Sequence, residues 1–301
     1  MADVSIIIVS WNARELLLKC LESIPEGLGE LEAEVIVVDN ASTDGSAEGV
    51  RDLHPGVKLL VQSQNLGFAK ANNIGIKESA SKYICLINSD VVVLSKCIER
   101  LFFFLEDNPM AAIAAPRILN PDMTLQASCR RFPSLPGTLL ASLGLDRLNY
   151  FPHDRTRRVE AVSGCFMMVR REAMDEVGLL DERFFFYAED KDWCKRFHDA
   201  SWDVFYHPEA KAIHYGGSSS SLAPVAFYVE MHKANIKYWR KHRGLSARAL
   251  YIMLVLFHQS MRLTASVARY ALRPKHRAMS AHKAKRSAAC LKWLITGAKA
   301  A

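Results

Sequence analysis

Residues 4–40 read VSIIIVSWNARELLLKCLESIPEGLGELEAEVIVVDN, and the order of patterns within them decides the fold. The opening run over 4–10 is nearly continuous and β-branched, the signature of a parallel strand buried on both faces rather than an alternating surface strand. Leu16, Leu17, Cys20, Leu21 and Ile24 then recur at helical spacing up to Pro25, and a second apolar run over 35–38 stops at Asp39. This is a βαβ unit. Outward from it, 45–53 suits a helix, 57–61 a strand, 69–78 a helix, and 83–87 a strand ending at Asn88. The rhythm predicts an α/β protein with a doubly wound sheet.

In such sheets ligands bind beyond the carboxyl ends of the strands. Three strands here end in polar groups: Ser10, Trp11 and Asn12 after the first, Asp39 and Asn40 after the second, and Asn88, Ser89 and Asp90 after the fourth. Each group alone is also what a helix cap or an Asx turn needs; three on one rim point to a ligand. No GxGxxG or GxxxxGK[ST] loop follows an early strand, which weighs against dinucleotide-binding and P-loop enzymes. A carboxylate just past a strand, Asp90, can instead hold a divalent cation that bridges diphosphate oxygens.

SIIIVSWN at 5–12, VVDNASTDGS at 37–46, NLGFAKANNIG at 65–75 and INSD at 87–90, taken in order, resemble the family 2 glycosyltransferases of the GT-A fold. The resemblance is nearest to their rhamnosyltransferase-like branch and covers about residues 4–220. It implies an inverting enzyme that moves a sugar from a nucleotide-diphosphate donor, of the dTDP-rhamnose or UDP-hexose type, to a hydroxyl of a glycan or polyprenyl-linked acceptor in cell-envelope polysaccharide synthesis. It also implies a GT-A mixed sheet. Asp39 would then contact the nucleoside base or ribose, with Ser10 and Asn12 beside it, Ser89 on the donor side, and Asp90 as the metal-binding carboxylate of a DXD-type motif. Asn88 stands where a first Asp often is, so Mg²⁺ or Mn²⁺ would lean on the donor diphosphate and on a histidine, His214 matching one that completes the metal shell. Asn65, Gly67, Asn72 and Asn73 surround a helix start whose free N–H groups can face a nucleotide. Capping by Asn65 alone is the other reading; the resemblance favours contact by Gly67 and Asn73.

VSGCFMMV over 162–169 reads as one strand carrying Gly164, after which Arg170 and Arg171 open a helix to 177. By the resemblance this segment lines the acceptor pocket, and Cys165 reads as a small core residue. FFFYAEDKDWCKR at 184–196 places Glu189, Asp190 and Asp192 at a helix start, where the dipole favours acids even without function. The resemblance makes Asp190 the general base for the acceptor hydroxyl, with Glu189 on the acceptor side. DVFYHPEAKAIHYGGSSS at 203–220 reads as two short strands and a Gly/Ser loop able to close over the donor. Arg130 and Arg131 precede Phe132 in a loop-like stretch; Arg131 is the candidate for an acceptor diphosphate, and solvated charge is the equal alternative.

The chain has 301 residues, half of them hydrophobic and 24% charged, enough for one large domain with an appendage and unlike disordered or polytopic membrane proteins. Charge divides it after 220. Residues 221–301 hold 16 of the 39 Lys and Arg but one of the 32 acids, Glu230, a net +15 against −8 for the rest. We therefore expect a catalytic domain over 1–220 and a basic helical tail over 221–301. Such a tail favours anionic lipid or nucleic acid. The apolar run 250–257, followed by Arg262, Arg269 and Arg273 among Leu263, Val267, Tyr270 and Leu272, selects an amphipathic helix on an anionic membrane surface. Packing of that helix on the body is the alternative, and no spacing supports nucleic-acid binding. Seven scattered cysteines without CxxC read as reduced thiols, and no basic leader precedes residue 6, so the expected location is cytoplasmic and peripheral on the inner face of the cell membrane. A glycoside hydrolase would need no nucleoside-binding Asp39, and a sugar nucleotidyltransferase would carry a Gly-rich phosphate loop. A catalytically silent glycan-binding or scaffold protein at the membrane is the remaining alternative.

Overall fold

A computed structural model describes residues 2–145, 148, 150–217 and 222–297. Within them the chain divides into two compact units: Met1–Phe132 with Tyr150–Phe185 and Glu189–Ser219, and Pro133–Asn149 with Phe186–Ala188 and Ser220–Ala301. The long C-terminal helices thus fall beyond the boundary expected at 220, while two stretches from before it belong with them.

The first unit begins β1 (Val4–Ser10), α1 (Arg14–Leu28), β2 (Ala33–Asp39), α2 (Ser46–Leu53), β3 (Lys58–Val61), α3 (Phe68–Lys77), β4 (Tyr83–Asn88) and β5 (Val91–Val93). It continues through α4 (Cys97–Asp107), β6 (Ala111–Leu119) and β7 (Cys129–Arg130). Pro133–Asn149 contains α5 (Leu135–Ser142). The first unit then resumes with β8 (Arg157–Arg158), β9 (Ala161–Val162), β10 (Phe166–Arg170), α6 (Arg171–Val177), α7 (Glu189–Asp199) and β11 (Asp203–His214). The sheet order is β3-β2-β1-β4-β10-β6-β11-β5, with β8 on β11. β3, β2, β1 and β4 run parallel, and β10 is antiparallel to β4 and β6, which makes the sheet mixed. Ile6 and Ile8 pack into one core with Leu17, Leu21 and Leu101, while Ile7 points to the other with Ile36, Leu86, Trp193 and Phe197. Burial on both faces is why β1 has no polar alternation.

Three local expectations change. Helix α1 runs through Pro25 to Leu28, because its last turn is held from outside: Lys96 N–H donates to Glu26 O at 2.9 Å, and Gly27 lies where a Cβ would meet Val93 Cγ1 at 2.3 Å. The strand over 162–169 is broken into β9 and β10, since Gly164 turns its N–H toward Asp190. The two strands expected after 203 are one, β11, irregular between His207 and Lys211 where Pro208 removes a ladder donor. Residues 218–221 of the Gly/Ser loop lie outside the described residues.

The second unit holds α5, α8 (Pro224–Leu272) and α9 (Arg277–Thr296). Gly244, at φ 80° and ψ 176°, interrupts α8. Tyr228, Ile236, Trp239, Tyr251, Val255, Cys290 and Leu294 form its core. Inside it Gln259 Nε2 donates to Tyr228 Oη at 2.6 Å and lies 3.3 Å from His232 Nε2. On α8, Tyr251, Val255 and Gln259 are buried while Leu250, Met253, Phe257 and Met261 are exposed at helical spacing. By length and composition α8 is the one helix, among the described residues, apolar enough to cross a membrane.

Candidate active site

The register β1 to β2 sets Ser10 beside Asp39, and β1 to β4 sets Val9 beside Asn88, so these polar residues line up at the carboxyl ends of adjacent parallel strands. Ser10 Oγ, Asp39 Oδ1 and Asn88 Oδ1 are each buried without a hydrogen-bond partner. Buried polar atoms are nearly always satisfied, so this row at the strand ends has hydrogen-bonding capacity left for water or a ligand. The second Asp39 oxygen accepts from Ser42 N at 3.1 Å. Ser89 and Asp90, both 7% exposed, form the turn from β4 to β5. Asn12 (φ 49°) and Ala41 (φ 64°) sit left-handed on the same rim, a strain that gathers at functional loops.

Several asparagines named from sequence belong to the scaffold. Asn12 Oδ1 accepts from Thr43 N at 2.7 Å, lacing the loop after β1 to the loop after β2. Asn65 Oδ1 accepts from Asn40 Nδ2 at 3.0 Å and from Gly67 N at 2.9 Å. Asn73, expected on the donor side, is buried on the inner face of α3, where it donates to Leu180 O (2.8 Å) and Glu182 Oε1 (3.0 Å) and accepts from Leu180 N (3.1 Å), so its amide holds the loop after α6. Gly67 (φ +80°) presses on Phe185, whose carbonyl oxygen a Cβ would meet at 2.4 Å and which accepts from Phe68 N at 2.7 Å.

Of the three acids opening α7, Asp192 is taken by Arg196 Nε at 3.0 Å, and that guanidinium also holds the carbonyls of Val177 and Leu179. Asp190 Oδ2 accepts from Gly164 N at 3.2 Å and Oδ1 from Lys191 N at 2.7 Å. These two backbone donors fix the carboxylate, and the backbone at Gly164 runs close beside it, a Cβ there standing in ordinary contact at 3.4 Å from Asp190 Cβ. Glu189 is buried with Oε2 unpaired, and burial first, then the Asp190 charge, push its carboxyl up to about 8. It therefore carries a proton at neutral pH. Burial pushes the Cys165 thiol up to about 12, with the charges of Asp90 and Asp190 both adding, so both carboxylates act on this one residue. Cys165 is an inert core thiol, and all seven cysteines are buried and free.

On the metal side, His214 Nε2 lies 3.2 Å from Asp90 Oδ1, and His214 Nδ1 lies 2.6 Å from Gln126 Oε1. A nitrogen and a carboxylate oxygen at that separation match two neighbouring ligands of a cation with bonds of about 2.1 Å. Among the described residues no group of three His, Cys, Asp or Glu gathers, so such a cation would draw its remaining ligands from substrate oxygens and water. His207 instead stacks on Phe104. Arg131 is exposed, over the Phe151 ring and 3.6 Å from Glu160, whereas Arg130 is the arginine whose field reaches Lys191 and Cys165. Sequence reading passed over Gln126, which lies in no recognisable motif and is brought to His214 only by the turn between β6 and β7.

A mixed sheet with a polar rim at the ends of β1, β2 and β4 and a carboxylate pair at the start of α7 places the protein among glycosyltransferases of the GT-A fold. The mannosyltransferase PcManGT from Pyrobaculum calidifontis, in complex with GDP-Man and Mn²⁺, superposes with TM-score 0.57 at 16% identity, over 97% of this chain and 86% of that one. The chain belongs to glycosyl transferase family 2, whose model matches residues 5–178, and is an enzyme of that family. It is 30% identical over 230 residues to N-acetylglucosaminyl-diphospho-decaprenol L-rhamnosyltransferase of Mycobacterium tuberculosis, covering 68% of this chain and 74% of the relative. It is 25% identical over 273 residues to dTDP-rhamnosyl transferase RfbF of Shigella flexneri, covering 86% and 88%.

Proposed function

We propose that the protein is an inverting rhamnosyl- or hexosyltransferase that takes its sugar from a dTDP or UDP donor. The acceptor is a hydroxyl of a glycan or polyprenyl-linked sugar in cell-envelope polysaccharide synthesis, and the reaction occurs at the cytoplasmic face of the membrane. The observation that carries this reading is the pairing of an orphaned polar rim, Ser10, Asp39 and Asn88, with an Asp190 carboxylate oriented by two backbone N–H groups. The relatives' names, which specify L-rhamnosyl and dTDP-rhamnosyl transfer, support the donor class.

Asp39 receives the nucleoside. Asp90 and His214 would hold Mg²⁺ or Mn²⁺, which would supply positive charge for the departing nucleoside diphosphate. Asp190 takes the proton of the acceptor hydroxyl as its oxygen attacks the anomeric carbon from the face opposite the diphosphate, which inverts the configuration. Glu189, protonated and with Oε2 unpaired, would offer its hydrogen to the acceptor beside it, and Arg130 would draw an acceptor phosphate. The second unit lies on anionic lipid: Leu250, Met253, Phe257 and Met261 form an apolar stripe, within a segment of net +15. The buried Gln259 and His232 on the α8–α9 side favour an interfacial helix over a spanning one.

The test is thermal stabilisation of the full chain by UDP, dTDP, GDP and CDP sugars with and without Mn²⁺. A Mn²⁺-dependent rise with a UDP or dTDP sugar, together with sugar transfer that Asp190→Asn lowers by about 10²- to 10⁴-fold, is expected. A protein that binds glycans but shifts with no nucleotide would be the silent membrane scaffold instead.

A further inference from the structure

We propose that Gln126 is a positioning residue that fixes the tautomer and ring orientation of His214, so that Nε2 presents its lone pair beside Asp90. The inference rests on the reading of Asp90 and His214 as the cation site. Gln126 Nε2 donates to the main-chain carbonyl of His214 at 3.2 Å and to Asn120 Oδ1 at 2.9 Å. A carbonyl only accepts, so this end of the amide is the NH₂ and the other is the oxygen. That oxygen, 2.6 Å from His214 Nδ1, can only accept, and Nδ1 therefore carries the hydrogen. Neutral His214 is left with its lone pair on Nε2, 3.2 Å from Asp90 Oδ1. Two facing lone pairs require positive charge between or upon them, and in this tautomer the imidazole is already a ligand.

The clasp is itself anchored. Gln126 N donates to Ile118 O at 2.9 Å, and Asn120 Nδ2 donates to Thr124 Oγ1 at 2.9 Å inside the 120–124 turn. His214 pairs with Val91 in β5, and Tyr215 N donates to Asp90 O at 3.0 Å, so the backbones of both cation-facing residues are tied together. The imidazole plane is the remaining freedom, and Gln126 removes it. Outer partners of this kind set ligand basicity and geometry, and their loss costs metal affinity about 10- to 100-fold.

The experiment uses the full chain with Mn²⁺ and inorganic pyrophosphate as probes. Imidazole ¹⁵N shifts, with the His214 signals identified by their loss in His214→Ala, should show hydrogen on Nδ1 in the unmodified protein. In Gln126→Leu the population should move toward hydrogen on Nε2. Mn²⁺ affinity with pyrophosphate, read by electron paramagnetic resonance, should fall about 10- to 100-fold in Gln126→Leu and recover to within a few-fold in Gln126→Glu, which keeps an acceptor for Nδ1. Hydrogen on Nε2 in the unmodified protein overturns the proposal, and this holds even if Gln126→Leu fails to fold. Unchanged Mn²⁺ affinity in Gln126→Leu, with loss in His214→Ala, overturns it while leaving the cation site standing. Unchanged affinity in His214→Ala removes the cation site itself.

Discussion

Glu189→Gln should make the protein more stable, and increasingly so as pH rises. The Glu189 carboxyl sits at about 8 in the folded chain against an ordinary 4.5, because burial and the Asp190 charge oppose ionisation. Between those values the folded state holds a proton that the unfolded chain has released, so folding stability is complete below 4.5 and is lost as pH climbs toward 8. Each pH unit in that window costs about 1.4 kcal/mol. From pH 5.5 to 7.5 the unmodified protein should lose about 3 kcal/mol that the glutamine variant keeps. Urea unfolding followed by the fluorescence of buried Trp193 on α7 measures the difference at each pH. Asp190→Asn removes the second cause of the shift and should narrow the window. Parallel stability–pH curves for Glu189→Gln and the unmodified protein would refute the reasoning.

Other substitutions separate the roles. Asp190→Asn should retain Mn²⁺-dependent nucleotide-sugar binding and lose transfer by about 10²- to 10⁴-fold, while Asp90→Ala should weaken binding itself; titration calorimetry with initial rates distinguishes them, and equal loss of affinity in both would undo the division. Gly67→Ala places a methyl 2.4 Å from Phe185 O at φ +80° and should cost about 2 kcal/mol or more by thermal denaturation. Phe257→Glu, at a 68% exposed position, should cut co-sedimentation with anionic vesicles about tenfold or more while leaving the melting temperature within a degree or two. Undiminished vesicle binding would move the lipid contact elsewhere.

The βαβ opening, the rim residues Ser10, Asp39 and Asp90, and the acid cluster at 189–192 were legible because each depends on local order: a buried parallel strand must be apolar throughout, and the residue after it meets the ligand crevice. Which acid is free to act was not legible. Glu189, Asp190 and Asp192 share one helical turn, yet Arg196 takes Asp192, burial protonates Glu189, and a glycine far back in the chain orients Asp190. Asn73 read as a donor contact because the family resemblance favoured it, and only the loop at 180–182 revealed where its hydrogen bonds go. Gln126 carries no pattern at all. Periodicity and strand ends are set by neighbours along the chain, whereas hydrogen-bond partners and proton affinities are set by groups far apart in it, 88 residues between Gln126 and His214 and 109 between Asn73 and Glu182. Sequence therefore determined the class of protein and the edge of the sheet proposed as its site, and tertiary packing decided the protonation and orientation of the groups gathered there.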